Sequence, residues 1–377
     1  MTTAVPRVWR DLAKVSAWLE ARSLASLTLL IVGFQLVRAG IGLPTIDINL
    51  ESWLAVVTSN FPLPTNYGSA SAYGYQLAIW LLRPTNLATF LAFALVLTTG
   101  ALFLTGLQTK RSRNISVVPW SWKLLIVGLS PAYASLFYHF GRYDIFTFLG
   151  TVMIALNFKS VRWVLLGAFV MSSGNPEQAL VISLAYCLLS LGPSFRKARK
   201  PALFALLTSG VIFVFVTTLS RMEDGGSRAS RFQDLLKPSL WDFMKMFPIQ
   251  AYAGLGIFLI FILFSIYQSD RWDRFAIIGA CLLVPFALTA TTLDQTRVLA
   301  TVAVGPCIVV SLKLLKEFVQ ANPNLKQYVA GSLVLCGLLF IPINIFASSV
   351  LSPYEWPMRT IATVLQPHGI CLFPNGC

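Results

Sequence analysis

Eleven apolar stretches joined by short polar connections constrain this chain more than any motif in it. They run near residues 24–43, 86–107, 124–139, 144–158, 161–172, 178–192, 202–220, 251–267, 275–292, 298–315 and 327–347. A helix is the one spanning form in lipid that satisfies its backbone hydrogen bonds within itself. With 56% hydrophobic and 12% charged residues, the chain reads as an all-α, polytopic membrane protein of about eleven transmembrane helices. Several stretches fall short of the about 20 residues a straight crossing needs, so the pair over 144–172 either crosses or dips in and returns.

The charges order these stretches. Alternate connections hold Arg7, Arg10, Lys14 and Arg22; Lys110, Arg111, Arg113 and Lys123; Lys159 and Arg162; Arg196, Lys197, Arg199 and Lys200; Arg271 and Arg274; and Lys313, Lys316 and Lys326, which make 19 of the 29 basic residues. Positive charge gathers in cytoplasmic loops, so the amino terminus is expected in the cytoplasm and the carboxyl terminus outside. The same placement explains the net charge of +14, with anionic headgroups rather than nucleic acid as its counterpart. No polar stretch is long enough for a separate soluble domain. The expected organisation is one transmembrane domain over 1–347 and an outer tail over 348–377, in the inner (plasma) membrane.

Two short helices are expected at the interface. Trp9, Leu12, Val15, Trp18 and Leu19 recur among bases at the spacing of one helical face. In the first outer loop, Tyr73 to Leu82 reads as a helix at headgroup level, its Tyr and Trp80 anchoring it there or stacking on a sugar. Cys187, Cys281, Cys307 and Cys336 lie in apolar runs as small hydrophobes, whereas Cys371 and Cys377 of the tail are spaced for a small disulfide loop.

The opposite set of connections carries the candidate chemistry. Asp47 and Glu51 stand one turn apart if their segment is helical, where a desolvated carboxylate could take a proton from a hydroxyl; a helix cap with an acidic first turn fits the spacing equally. His139, Arg142 and Asp144 crowd one tight turn between apolar runs, which is costly unless they pair with each other or bind a ligand. Glu177 follows Asn175 and Pro176 at a helix start, where capping accounts for it. Arg221, Arg228 and Arg231 flank Glu223 and Asp224, either as phosphate-binding forks or as a self-paired loop. Asp294 can cap the helix it precedes, but Arg297 then faces the positive pole of that helix and needs an anion or acid. Arg38, in the outer third of the first span, adds another cation. With two histidines, a histidine-rich metal site is excluded.

A first span followed at once by an acidic outer loop with Asp47 and Glu51, an interfacial helix over Tyr73 to Leu82, and about ten further spans with short outer turns resembles the GT-C superfamily of polyprenyl-phosphate-sugar glycosyltransferases. Where many members carry a DD, DE or DxD pair, this chain has Asp47-Ile-Asn49 with Glu51 further on. The resemblance implies transfer of a sugar from a lipid-phosphate donor to a glycan or lipid acceptor at the extracytoplasmic face. Asp47 would take the acceptor proton, and Arg297 or the Arg221–Arg231 group would hold the leaving phosphate. No cofactor is implied, although a divalent cation stays open. An O-antigen-type polysaccharide polymerase or ligase is the first alternative and a transporter or flippase the second.

Overall fold

The computed structural model describes residues 7–39, 72–83, 87–111, 117–138, 140–224, 244–290, 292, 295–340, 344–346 and 349–351. The described chain is helical, apart from a short antiparallel pair of strands, Asn344–Phe346 with Ser349–Leu351. Its helices are α1 (Arg7–Glu20), α2 (Leu24–Ala39), α3 (Tyr73–Leu82), α4 (Leu87–Arg111), α5 (Trp120–Gly128), α6 (Pro131–Tyr138), α7 (Asp144–Leu156), α8 (Val161–Gly174), α9 (Pro176–Leu191) and α10 (Arg199–Asp224). After these come α11 (Met244–Leu255), α12 (Ile257–Gln268), α13 (Arg271–Thr289), α14 (Gln295–Ala321) and α15 (Val329–Leu339).

Every one of the eleven apolar stretches carries helix, but among the described residues four helical segments are long and apolar enough to cross a membrane by themselves, or five if α11 and α12 form one span. The others are shorter or broken, and each break has a local cause. Between α5 and α6, Pro131 cannot donate its missing N–H, and Ser130 restarts the helix by accepting from the Tyr133 amide at 3.2 Å. Between α11 and α12 the chain bends by 96° at Gly256, whose φ of 50° suits glycine. These two breaks pack on each other: a Cβ on Gly256 would lie 2.6 Å from the Pro131 ring. Helix α13 widens into a π turn over Gly279–Leu283, just before Pro285. The last apolar stretch stops being helical at Leu339, short of Pro342.

α14 is the axis of the molecule, buried over most of its length, with α7, α9, α12 and α13 packed around it. α7 and α8 form a tight hairpin. A Cβ on Gly150 would run into the Gly167 carbonyl, one on Gly167 would lie 2.7 Å from the Gly150 carbonyl, and one on Gly174 would lie 2.9 Å from the Tyr143 carbonyl. Small residues thus let two backbones touch, the usual way helices associate where no hydrophobic driving force exists between them. The 13 residues of α7 rise about 20 Å, less than the about 30 Å of a hydrocarbon core.

Contacts sort the helix ends into two sets. At the basic end, the Trp122 indole donates to Glu20 at 2.7 Å, Lys110 lies over the Trp120 ring, and buried Asp273 accepts from the Ser194 amide at 3.0 Å and from Lys313 at 3.4 Å. At the opposite end, Gly74 packs on Ser173, Tyr75 bonds Gly141, Asp144 meets Arg297, Gln250 meets Gln295 and Arg38 meets Phe340. α10 turns Leu203, Leu207, Val211, Val214 and Phe215 outward, all more than half exposed. An apolar stripe of that length faces lipid rather than water. The protein is a helical membrane protein.

Candidate functional site

The site grows from the start of α14. Its first turn buries Gln295, Thr296 and Arg297, three polar side chains where an apolar core would be cheapest. Arg297 lies near the positive pole of its own helix, where the sequence called for an anion or an acid to offset it. Asp144 does so: its Oδ2 accepts from the Arg297 guanidinium at 2.7 Å, with side-chain exposures of 2% for Asp144 and 9% for Arg297. Asp144 is the first residue of α7, where the helix dipole favours a carboxylate. One ion pair therefore joins two helix N-termini across 153 residues of chain. Asp294, which the sequence offered as the helix cap beside Arg297, lies outside the described residues.

The turn ahead of Asp144 is held from above. Gly141 has a φ of 81°, and a Cβ there would run into the Phe90 ring, so this position needs glycine twice over. The Tyr75 hydroxyl donates to the Gly141 carbonyl, and its ring lies 6.5 Å from that of Tyr143, edge-on. Desolvation pushes the Tyr75 phenol above its ordinary pKa, the positive charge of Arg142 opposes the rise and the Asp144 carboxylate adds to it. The phenol is consequently a fixed, protonated donor with Arg142 and Asp144 both within its electrostatic reach. The Tyr75 hydroxyl is turned into the protein.

The start of α9 follows the capping account given for Glu177. Asn175 accepts from the Gln178 amide at 3.0 Å, Pro176 opens the helix, and Glu177 lies partly buried in its first turn. Arg38 lies at the same end of the molecule, at the C-terminus of α2. Its guanidinium donates to the carbonyl of Phe340, at the end of α15, and lies 5.7 Å from the Phe34 ring, a favourable position for a cation at a helix C-terminus. Asp47, Glu51, His139, Arg228 and Arg231 lie outside the described residues, as does the Arg221 side chain.

Three buried acceptors at this end have no hydrogen-bond partner: Asp144 Oδ1, Gln178 Oε1 and Gln250 Oε1, while Gln250 donates through its nitrogen to Gln295. Thr28, Gln35 and Ser311 leave others unsatisfied inside α2 and α14. A buried oxygen without a donor costs about 1–3 kcal/mol, so a set of them at one end suits a ligand rich in O–H or N–H groups. No group of histidine, cysteine and acidic side chains among the described residues could hold a metal ion. Sequence reasoning missed Gln250, Gln295 and the half-buried Asp273–Lys313 pair of the basic end; the first two are neutral residues at helix ends and carry no signal until the ends meet. No protein-family model matches the chain, and no curated protein matches it.

Proposed function

We propose that this chain is an integral membrane glycosyltransferase that moves a sugar from a lipid-phosphate donor to a glycan or lipid acceptor at the extracytoplasmic face of the plasma membrane. In this reading its apolar stretches make about eleven passages in the membrane, the basic end faces the cytoplasm and the carboxyl-terminal tail is outside. The observation that carries it is the buried Asp144–Arg297 pair with unsatisfied acceptor oxygens at the same end, which supports a site for a hydroxyl-rich molecule there. The acceptor hydroxyl would attack the anomeric carbon as its proton passes to Asp47. The bond from that carbon to the phosphate oxygen breaks, and its electron pair leaves on the lipid phosphate. Arg142 is the cation for that phosphate. Arg297, engaged with Asp144, orients the carboxylate instead of holding the leaving group, and Arg221, Arg228 and Arg231 provide further phosphate contacts from the loop.

A second ion pair gives the transporter reading its best support, because half-buried Lys313, at the basic end of the same central helix, meets buried Asp273 of α13. Yet 16 residues separate Arg297 from Lys313, which turns them about 160° apart around α14, so the two charges do not face one path. The test is transfer of radiolabelled sugar from a panel of polyprenyl-phosphate sugars by membranes carrying the full chain. Asp47→Asn is expected to abolish transfer while leaving the amount and elution of the protein unchanged, with Glu51→Gln milder. Near-normal turnover in both Asp47→Asn and Asp144→Asn, or no turnover of any donor by the wild type, would sink the proposal.

A further inference from the structure

Helix α9 is flanked by both α10 and α13, yet Leu184 and Leu191 on it are 43% and 59% exposed. With Leu188 between them they follow at i, i+4 and i+7, so one leucine stripe of α9 lies open between two helices that pack against it. Two glycines keep that space clear. Gly210 of α10 stands over the stripe from one side, where a Cβ would lie 3.9 Å from Leu180, and Gly279 of α13 from the other, where a Cβ would lie 3.8 Å from Leu188. On α10, Arg199, Leu203 and Leu206 share the face of Gly210; on α13, Trp272 and Phe275 share the face of Gly279. These elements make a lateral crevice with a leucine floor and two apolar walls. Its floor runs about 16 Å from Leu180 to Leu191, close to the hydrocarbon depth of one leaflet.

Charge enters the crevice at its basic end. Arg199 sits where the leucine stripe stops: its Nε donates to the Ser190 carbonyl and its Nη2 to the Leu191 carbonyl, each at 3.1 Å, which leaves Nη1. The first turn of α13 closes on the same point from the other side, since a Cβ on Gly192 would lie 3.1 Å from Ala276 and the Ser194 amide donates to Asp273. Trp272, beside that contact, is 69% exposed; its ring lies 6.5 Å from that of Phe275, over which Arg271 stands at 5.9 Å. Tryptophan beside cations at a helix end marks headgroup level. The acids of this turn are engaged elsewhere: Asp273 is buried and meets Lys313, and Asp270 caps α13 by accepting from the Asp273 amide at 2.9 Å. Arg199, its neighbour Lys200, and Arg271 are exposed, and no carboxylate among the described residues pairs with them.

We propose that this crevice binds an anionic phospholipid, its phosphate held by Arg199, Lys200 and Arg271 and one acyl chain laid along Leu191, Leu188 and Leu184. The chain takes the space that Gly210 and Gly279 leave, and Trp272 covers its headgroup end. Each basic residue near an anionic headgroup is worth about fivefold in binding. Arg199 contributes less than a free base, because the carbonyls it caps already offset part of its charge. Three bases on the two walls, with no acid left to answer them, select the lipid by charge where boundary lipid elsewhere is held by its chains alone.

The test uses the full chain in nanodiscs of equal phosphatidylglycerol and phosphatidylcholine, re-isolated and analysed for retained lipid by native mass spectrometry. The wild type is expected to keep phosphatidylglycerol over phosphatidylcholine by about fivefold or more. Changing Arg199, Lys200 and Arg271 together to glutamine should bring that ratio to about one, whereas the same change at Arg7, Arg10 and Lys326, basic residues on α1 and before α15, should leave it as it was. Gly210→Leu with Gly279→Leu, at positions where a Cβ meets only ordinary contacts, should fill the crevice and lower retention of both lipids. A wild-type ratio near one overturns the site. So does an equal loss in the two glutamine variants, which means a diffuse basic face, or a filled crevice that keeps its phosphatidylglycerol. If loss of the Arg199 cap prevents folding, Lys200→Gln with Arg271→Gln carries the charge test, and an unchanged ratio there sinks the proposal.

Discussion

Asp144 and Arg297 permit a prediction whose size follows from their burial. At 2.7 Å and with exposures of 2% and 9%, neither charge can return to solvent if its partner is removed. Truncating one side of such a pair costs about 3–5 kcal/mol, whereas replacing both with neutral groups of similar shape is close to neutral, because what is lost in attraction is regained in desolvation. Asp144→Asn and Arg297→Gln should therefore each destabilise strongly, and the double variant should recover most of the loss, a coupling of about 3 kcal/mol in a double-mutant cycle. Unfolding within a micelle leaves a state that still finds polar partners, which lowers the measured value toward about 1–2 kcal/mol but not its sign. The assay is reversible unfolding of the purified protein by SDS titration in mixed micelles, followed by circular dichroism. Single variants that each cost under about 0.5 kcal/mol, or costs that simply add, would refute the reasoning, since independent sites behave that way. Transfer activity adds a second readout: if Asp144 Oδ1 receives a donor from the substrate, the refolded double variant is stable but inactive.

Two further outcomes follow from the same end of the molecule. Gly150→Leu should separate α7 from α8, because the new side chain meets the Gly167 carbonyl and Met171; a loss of about 1–3 kcal/mol in the same unfolding assay is expected, and Gly33→Leu, with open space around its Cβ position, serves as the neutral control. Tyr75→Phe removes the bond to the Gly141 carbonyl and should cost about 1 kcal/mol. The Tyr75 phenol is raised from its ordinary value of 10.0, so its contribution is complete below that pH and fades as pH rises above it toward the folded pKa; a wild-type and Tyr75→Phe difference that is flat from pH 7 to 9 and shrinks at higher pH checks the sign.

Much of the helical framework was legible along the chain, and the reason is local. A helix in lipid satisfies its own backbone, so hydropathy alone marks where it runs, and the two amphipathic or aromatic segments over 7–20 and 73–82 are helices as their spacing predicts. Cap chemistry was equally local: Asn175, Pro176 and Glu177 read as a helix start and form one. Straightness was not. The prolines at 131, 285 and 342 are visible in the sequence, but whether a helix breaks, widens or ends there depends on what packs against it, as Pro131 does on Gly256.

The candidate site divides along the same line. The sequence by itself determined that Arg297 needed an anion or an acid and that the turn with His139, Arg142 and Asp144 was too polar to stand alone, because helix dipoles and desolvation act within a few residues. It pointed to Asp294 or an anionic ligand for the first, and to pairing with Arg142 or a bound ligand for the second. Only the tertiary structure decided that Asp144 answers Arg297, bringing the ends of α7 and α14 together through a hairpin whose glycines let α7 and α8 touch. The same packing turned Tyr75 inward and sent Arg38 to Phe340. Electrostatic need is written in single positions, but which partner meets it is a property of how helices pack, and packing depends on contacts among residues far apart in the chain.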